Sequence, residues 1–469
     1  MMIKRFILTG LAGALISIFL ISCTPPADSE NEGEQIELSS DGSWGYAGRF
    51  AHIANNTMFF SYLDTKGSTW VASYHFGSGE LVKNNIWGQE LIDLHSANPL
   101  IIRPDGRIQV FLDRPEYSNK DIIWKVSKEP FSIQEFGELQ HSGIEGDIMQ
   151  GRQHYPMVHR ESGEVYLVLN AIRDTVSEGT RDVGKALRET VMWKSSDGGD
   201  TWSEYANLWG LGKGLEGNRC YTRTYMKGDD IHFVGDDIHF VTLRVGWNEP
   251  LAGHLIGRIE GVYYVKYNVK KKAFFRADGS HAFDITDVPV YSVENFDEIW
   301  HWQKDGDGRQ RAFWSDLVVS DDGKPYVAFT IQDAAPQGAT SLPDGYWATP
   351  NNEGEWTFSK VATLARGWDN KPERVGYPIA IDPLNPNRVF IAKSVSKEKD
   401  LSQIQCLETS DNGKTWELVK SFSDEGRLTT VVAPNVLDES ERAVDVLWLD
   451  GKMEEWGVYD TKVMTRRFK

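Results

Sequence analysis

Along most of the chain, apolar runs of a few residues alternate with tight polar turns, and helical periodicity is scarce. From Pro99 to Leu112 an apolar run meets Asp105-Gly106 and a second apolar run follows. Tyr155 to Leu169 repeats this around Ser162-Gly163, Asp316 to Phe329 around Asp322-Gly323, and Tyr377 to Ile391 around a turn ending at Asn387. Short apolar runs punctuated by Gly, Asn and Asp predict antiparallel β-hairpins. Gly106 and Gly163 lie 57 residues apart, so the body of the chain holds about seven such units. Residues 180–189 are expected to form a short helix within an insertion.

Two eight-residue segments share their wording. Ser195, Asp197, Gly199, Thr201 and Trp202 recur at the same spacing as Thr409, Asp411, Gly413, Thr415 and Trp416. A carboxylate in that setting accepts backbone N–H groups of its own turn. The glycine supplies a positive φ, and the Trp packs between neighbouring sheets. This is the Asp-box pattern of β-propeller blades. Its residues are hairpin staples and are left out of the candidate site. The expected fold is all-β: a seven-bladed β-propeller of four-stranded antiparallel blades. Six or eight blades also fit the spacing.

The ends add a location. Met1 to Arg5 is basic, Phe6 to Ile21 is apolar, and Ser22-Cys23 follows. A basic start, a short apolar core and a small residue before Cys read as a bacterial lipoprotein signal, too short and too early for a typical membrane span. The expected organisation is a signal peptide at 1–22, a lipidated Cys23 with a flexible tether at 23–40, and one propeller domain at 41–469. The lipid would hold the protein to the bacterial cell envelope, at the outer membrane facing the exterior or the periplasm. Cys220 and Cys406 can form one disulfide or stay as buried thiols, and the second is favoured.

The formal charge of −18 argues against nucleic acid as a partner. It leaves room for an anionic glycan, because a local cluster of Arg and His can oppose the global sign. The chain carries 17 Trp, 17 Tyr and 21 Phe. Aromatics serve blade packing and sugar stacking alike, so this count does not choose between them. Residues 228–234 recur without change as 235–241. One copy is expected to pair in a blade and the other to form a bulge or loop. Duplication explains His232 and His239 better than a metal pair does.

Propellers bind ligands at the mouth of the central channel, so functional residues should come once each from several blades. The positions at or before successive inner strands are His95 and Asn98, then His154 and Tyr155, then Arg219 and Tyr221, with Arg244 and His254 on the long segment after them. Their order resembles the BNR-repeat (Asp-box) propellers that include the ulvan lyases. The shared features are His95 to Pro99 with Asp105-Gly106-Arg107, Tyr155-Pro156, an Asp-box, Arg219-x-Tyr221, Ile231-His232-Phe233, Tyr263-Tyr264 to Tyr267, and Phe275-x-x-Asp278-Gly279. The resemblance covers roughly residues 90–420.

That resemblance implies a seven-bladed fold. It also implies cleavage of a sulfated rhamnose–uronate polysaccharide by β-elimination, with His and Tyr moving protons and Arg near the substrate carboxylate. Carried over, the catalytic residues are His95, Tyr155, Tyr221 and His254. The substrate-binding residues are Asn98, His154, Arg173, Arg219 and Arg244, with Arg173 and Arg244 competing to neutralise the carboxylate. No cofactor is required, a structural metal is not legible, and a monomer is expected. The chain departs from the pattern at Phe111 to Pro115, where family members carry a second His, and at Cys220, where they carry Pro. Two other readings stay open: a glycoside hydrolase on the same scaffold, which would use paired carboxylates, and a glycan-binding lipoprotein without catalysis.

Overall fold

The computed structural model describes residues 35–44, 50–88, 98–112, 122–142, 148–173, 187–210, 222–236, 261–290, 294–301, 309–335, 338–339, 341–365, 378–396, 400–437, 444–455 and 458–468. Cys23, His95, Arg219, Cys220, Tyr221, Arg244 and His254 lie outside them.

Seven antiparallel sheets follow one another around a ring. From the channel outward, blade 1 is Ala51–Ala54, Thr57–Leu63, Thr69–His75 and Leu81–Trp87. Blade 2 is Leu100–Ile102, Ile108–Leu112, Ile123–Val126 and Gln140–His141. Blade 3 is Ile148–Val158, Val165–Arg173, Leu187–Ser195 and Ser203–Gly210. Blade 4 begins with Thr222–Lys227, Asp230–Asp236 and Gly261–Asn268. Its outer edge is split: Ala273–Phe275 pairs with the lower half of Gly261–Asn268 and Asp297–His301 with the upper half. Blade 5 is Arg309–Val319, Pro325–Ala335, Asp344–Pro350 and Trp356–Thr363, and blade 6 is Ile379–Ile381, Arg388–Ser396, Leu401–Glu408 and Glu417–Ser421. Blade 7 is Leu428–Val432, Val444–Glu455 and Val458–Phe468, completed on the outside by the N-terminal strand Ile36–Ser39. Asn435–Val436 adds a parallel bond to His52 and Ile53 of blade 1. Among the described residues no helix is long and apolar enough to cross a membrane.

The seven blades expected from the turn spacing are present. So is the reason for the near-continuous apolar runs: each sheet is covered on both faces by its neighbours. Separate apolar clusters fill the seams. Phe59, Val71, Ile108 and Val110 join blades 1 and 2, and Ile101, Phe111, Leu167 and Trp193 join blades 2 and 3. Val234, Tyr264, Leu317 and Phe329 join blades 4 and 5, and Val389, Ile391, Trp347 and Ala328 join blades 5 and 6. Cys406 is a buried free thiol, and burial pushes its pKa well up. Leu187–Glu189, expected to be helical, are instead the first residues of a strand in register with Ala171–Arg173. The ladder to the second strand, joined at Glu189 by Gly210 on the other side, outweighs local propensity there, and 180–186 lie outside the described residues. The first tandem copy forms the turn at Gly228 and Asp229 and then a strand. The second lies largely outside the described residues.

Both boxes close the hairpin between the third and fourth strands of a blade. In blade 3 the Asp197 carboxylate accepts Thr201 N at 2.9 Å, Asp200 N at 3.1 Å, Ser195 Oγ at 2.7 Å and Thr201 Oγ1 at 2.5 Å. In blade 6 Asp411 accepts Thr415 N at 2.9 Å, Thr415 Oγ1 at 2.7 Å and Thr409 Oγ1 at 2.9 Å. Gly199 holds φ +107° and Gly413 φ +83°, backbone that side chains resist. The boxes also clamp blades together. Trp202 stacks edge-on against Phe111 and Trp124 of blade 2, with centroids 5.6 and 6.2 Å away. Trp416 meets Trp347 of blade 5 at 5.8 Å. Asp197→Ala removes an acceptor shared by four donors in a mostly exposed turn. It should lower stability by about 1–2 kcal/mol in urea unfolding without moving far-ultraviolet dichroism.

Candidate functional site

The two ends of the ring differ. At the lower end the first and second strands of blades 1 to 6 are joined by short turns, as at Asn55-Asn56, Asp105-Gly106 and Gly228-Asp229. At the upper end, where the inner strands begin, several connections are longer, as between Arg173 and Leu187 or Asp236 and Gly261. His95 belongs to the stretch leading to Leu100–Ile102. Arg219 and Tyr221 belong to the one leading to Thr222–Lys227, and Arg244 and His254 to the one between Asp230–Asp236 and Gly261–Asn268. The described residues that border these stretches, Asn98, Thr222, Asp236 and Gly261, all stand at this end.

The inner strands are unequal. Those of blades 3 and 5 run for 11 residues each, and those of blades 2 and 6 for 3 each. The long pair flanks the inner strand of blade 4 on both sides. Each long strand is bulged, between Arg152 and Tyr155 in blade 3 and between Trp314 and Asp316 in blade 5. A bulge re-aims the side chains around it and is common beside functional sites. Tyr155, Arg223 and Asp316 each stand four residues before the residue that opens the lower turn, so they share one level on three adjacent inner strands.

At that level the polar groups are buried and paired. Asp316 accepts Arg223 Nη2 at 2.9 Å and the backbone N–H groups of Leu317 and Ile381, each at 2.9 Å. One carboxylate therefore joins the inner strands of blades 4, 5 and 6. Tyr155 is 2% exposed and packs in the apolar cluster with Met157, Tyr166 and Val168. His154 is equally buried, its ring 6.1 Å from that of Phe111 in blade 2. Burial pulls its pKa down to about 4, so its imidazole is neutral at neutral pH. Asn98 is held by blade 1: its side-chain amide donates to Thr69 Oγ1 at 2.5 Å and its carbonyl accepts Ser61 Oγ at 2.6 Å. Arg173 ends the second strand of blade 3, in register with Ile148. The fold thus brings Asn98, His154, Tyr155 and the backbone of Arg173 to three consecutive strand systems of one side of the ring.

Sequence reasoning gave no role to Asp316 or to its pairing with Arg223. A signal existed, because Asp316 holds the position in its repeat that Tyr155 holds in the unit two blades earlier, and a charge there needs a partner. It also passed over His159, Glu161 and Asp229 at the lower end, whose ligand atoms lie within 4.8 Å of one another. Lys270 already sits among them, 3.0 Å from Glu161 and 3.1 Å from Asp229, and supplies the positive charge. His232 has its Nδ1 2.6 Å from Tyr264 Oη, both buried, and burial draws its pKa down to about 3.

No protein-family model matches the chain, and no curated protein matches its sequence. Solved structures do match the fold. An ulvan lyase of polysaccharide lyase family PL25, bound to GlcA(1-4)Rha3S, aligns with a TM-score of 0.65 at 15% identity, over 92% of this chain and 95% of that one. The polysaccharide lyase Uly1 aligns with a TM-score of 0.57 at 10% identity, over 93% of this chain and all of that one (100%). At these identities the likeness establishes the seven-bladed architecture.

The buried imidazoles set an acid limit. An unfolded His binds its proton near 6.5, whereas His154 in the fold does so only near 4. Between those values the unfolded state holds the extra proton, so stability falls as pH drops from 6.5 towards 4. Urea unfolding followed across that window should show this slope, and His154→Leu should reduce it, leaving the share that His232 contributes.

Proposed function

We propose that the protein is a lipid-anchored polysaccharide lyase that cleaves an acidic, ulvan-like rhamnose–uronate polysaccharide by β-elimination. The observation that carries this reading is the match in fold to an ulvan lyase over nearly the whole of both chains. The long, bulged inner strand of blade 3, which carries the candidates His154 and Tyr155, is consistent with it.

The chemistry accounts for the residue types. Elimination takes the proton from C5 of a uronate, forms the C4–C5 double bond and breaks the bond from C4 to the glycosidic oxygen. The C5 proton is weakly acidic while the neighbouring carboxylate is charged. A guanidinium on that carboxylate stabilises the enolate-like transition state, and Arg suits the task because it keeps its proton. Arg173 and Arg244 are the two groups proposed for it. Among His95, Tyr155, Tyr221 and His254, one group takes the C5 proton and another returns a proton to the leaving oxygen. Asn98, His154 and Arg219 hold the polymer. Buried as they are, His154 as a neutral imidazole and Asn98 through its bond to Thr69 would act from inside the wall, holding the backbone that borders the polymer. No cofactor enters this scheme, and the protein acts as a monomer tethered through Cys23 at the cell envelope.

Incubation with ulvan and related uronate polymers tests the reading. A rise in ultraviolet absorbance from unsaturated uronate is the expected result. New reducing ends without that rise would indicate hydrolysis, and binding with neither would indicate a glycan-binding protein. His95→Ala and Tyr221→Phe should each lower kcat roughly 10²–10⁴-fold while leaving the fold intact. Near wild-type rates in both would remove these residues from the mechanism. Cys23→Ala should abolish incorporation of labelled palmitate and release the protein from the membrane fraction.

A further inference from the structure

The ion pair between Arg223 and Asp316 is an expensive feature to place on inner strands. The two side chains are 8% and 3% exposed. Taking two such charges from water costs several kcal/mol per ion before their attraction is counted, and well-packed apolar residues often stabilise as well. Stability alone therefore gives no reason for a charged pair at this level, whereas its position in the ring does. The carboxylate reaches Arg223 on blade 4, its own strand at Leu317 on blade 5, and the Ile381 N–H on blade 6. It reaches all three because the bulge after Trp314 turns Asp316 out of simple alternation. Arg223 is the second residue of its strand, two positions after Tyr221 and four after Arg219.

We propose that Asp316 is a positioning residue. Through Arg223 it fixes the start of Thr222–Lys227 relative to blades 5 and 6, and so fixes where the chain enters blade 4 immediately after Arg219 and Tyr221. This inference rests on the lyase reading above. Asp316 touches no substrate; it acts through the strand that Arg223 belongs to. Arg suits the partner's role because its guanidinium keeps its charge when buried and directs its donors in a fixed plane.

The test compares wild type with Asp316→Asn, Arg223→Lys and Arg223→Met. Asp316→Asn keeps the shape and one acceptor oxygen while removing the charge that holds Arg223. Hydrogen exchange of the peptide spanning 219–227 should then speed up by about tenfold, with the hairpin of Thr57–His75 in blade 1 unaffected. On the uronate polymer kcat should fall about 10- to 100-fold, the scale of a small misplacement of a catalytic group. KM should stay within about threefold and the pH profile of kcat should keep its shape, since no titrating catalytic group is lost. Arg223→Lys should recover part of what Arg223→Met loses. Unchanged exchange over 219–227 in Asp316→Asn overturns the inference, and so does faster exchange with unchanged kcat. Should wild type eliminate no uronate polymer, the lyase reading fails on its own. Affinity for the polymer then replaces kcat: a loss alongside faster exchange upholds the positioning role, and unchanged affinity overturns it.

Discussion

The strand at residues 36–39 pairs with the last strand, Val458–Phe468, Ile36 opposite Thr465 and Ser39 opposite Val463, and this pairing closes the ring. A blade is apolar on both faces and cannot bury either one alone. Within the series each blade is covered by the next, but the first and last have no sequence neighbour on one side. Joining the N-terminal strand to the C-terminal blade supplies that cover in the same way as every other seam. The closure is reinforced where the two ends meet: Thr461 Oγ1 donates to Gly42 O at 2.6 Å, and Tyr459 Oη to Leu63 O at 3.1 Å. Trp44, Phe60, Leu447 and Val463 fill the seam between blades 7 and 1. Once the ring is shut, seven inner strands are forced around one axis, and residues far apart in sequence come to one level.

That geometry divides the labour between the two ends. At the lower end the first and second strands of blades 1 to 6 reverse within a few residues, and the box turns lie there with their carboxylates satisfied by their own turns. These turns clamp blade to blade through Trp202 and Trp416. The upper end is where several connecting stretches lengthen and where the inner strands of blades 3 and 5 extend past their neighbours. A scaffold held rigid at one end can vary its loops at the other without losing its seams, which is why the architecture alone does not decide chemistry.

How much of this was legible in the sequence depends on the range of the interaction involved. The boxes were legible because Asp197 and Asp411 bond within four residues of themselves, so the pattern is complete in eight letters. The blades were legible because the turn at Gly106 returns at Gly163 with an apolar run on each side. The strand at Leu187–Glu189 was misread as helix, since its ladder partner Ala171–Arg173 lies across an insertion and leaves no local trace. The pairing of Arg223 with Asp316 spans 93 positions and crosses two blades, and no periodicity announces it. Candidate site residues were legible only as types at strand starts. The level at which the described ones stand is set by ring closure, which no single motif encodes.

The charge balance narrows which cations can serve an anionic polymer. The chain carries −18 overall, so an approaching polyanion meets a repulsive field except where local cations oppose it, and that repulsion weakens beyond a Debye length in salt. Arg223 lies on an inner strand, and its charge is spent on Asp316 inside the wall. Arg103 is buried likewise and faces Asp200 at 2.8 Å at the lower end. Arg223 cannot neutralise a substrate carboxylate without first leaving the buried Asp316 unpaired, a step that costs more than a surface contact returns. On the proposed reading the guanidinium that meets the uronate must therefore be one whose charge the scaffold has not already used. This criterion sets Arg223 aside and leaves Arg173 and Arg244 as the two groups proposed for the role.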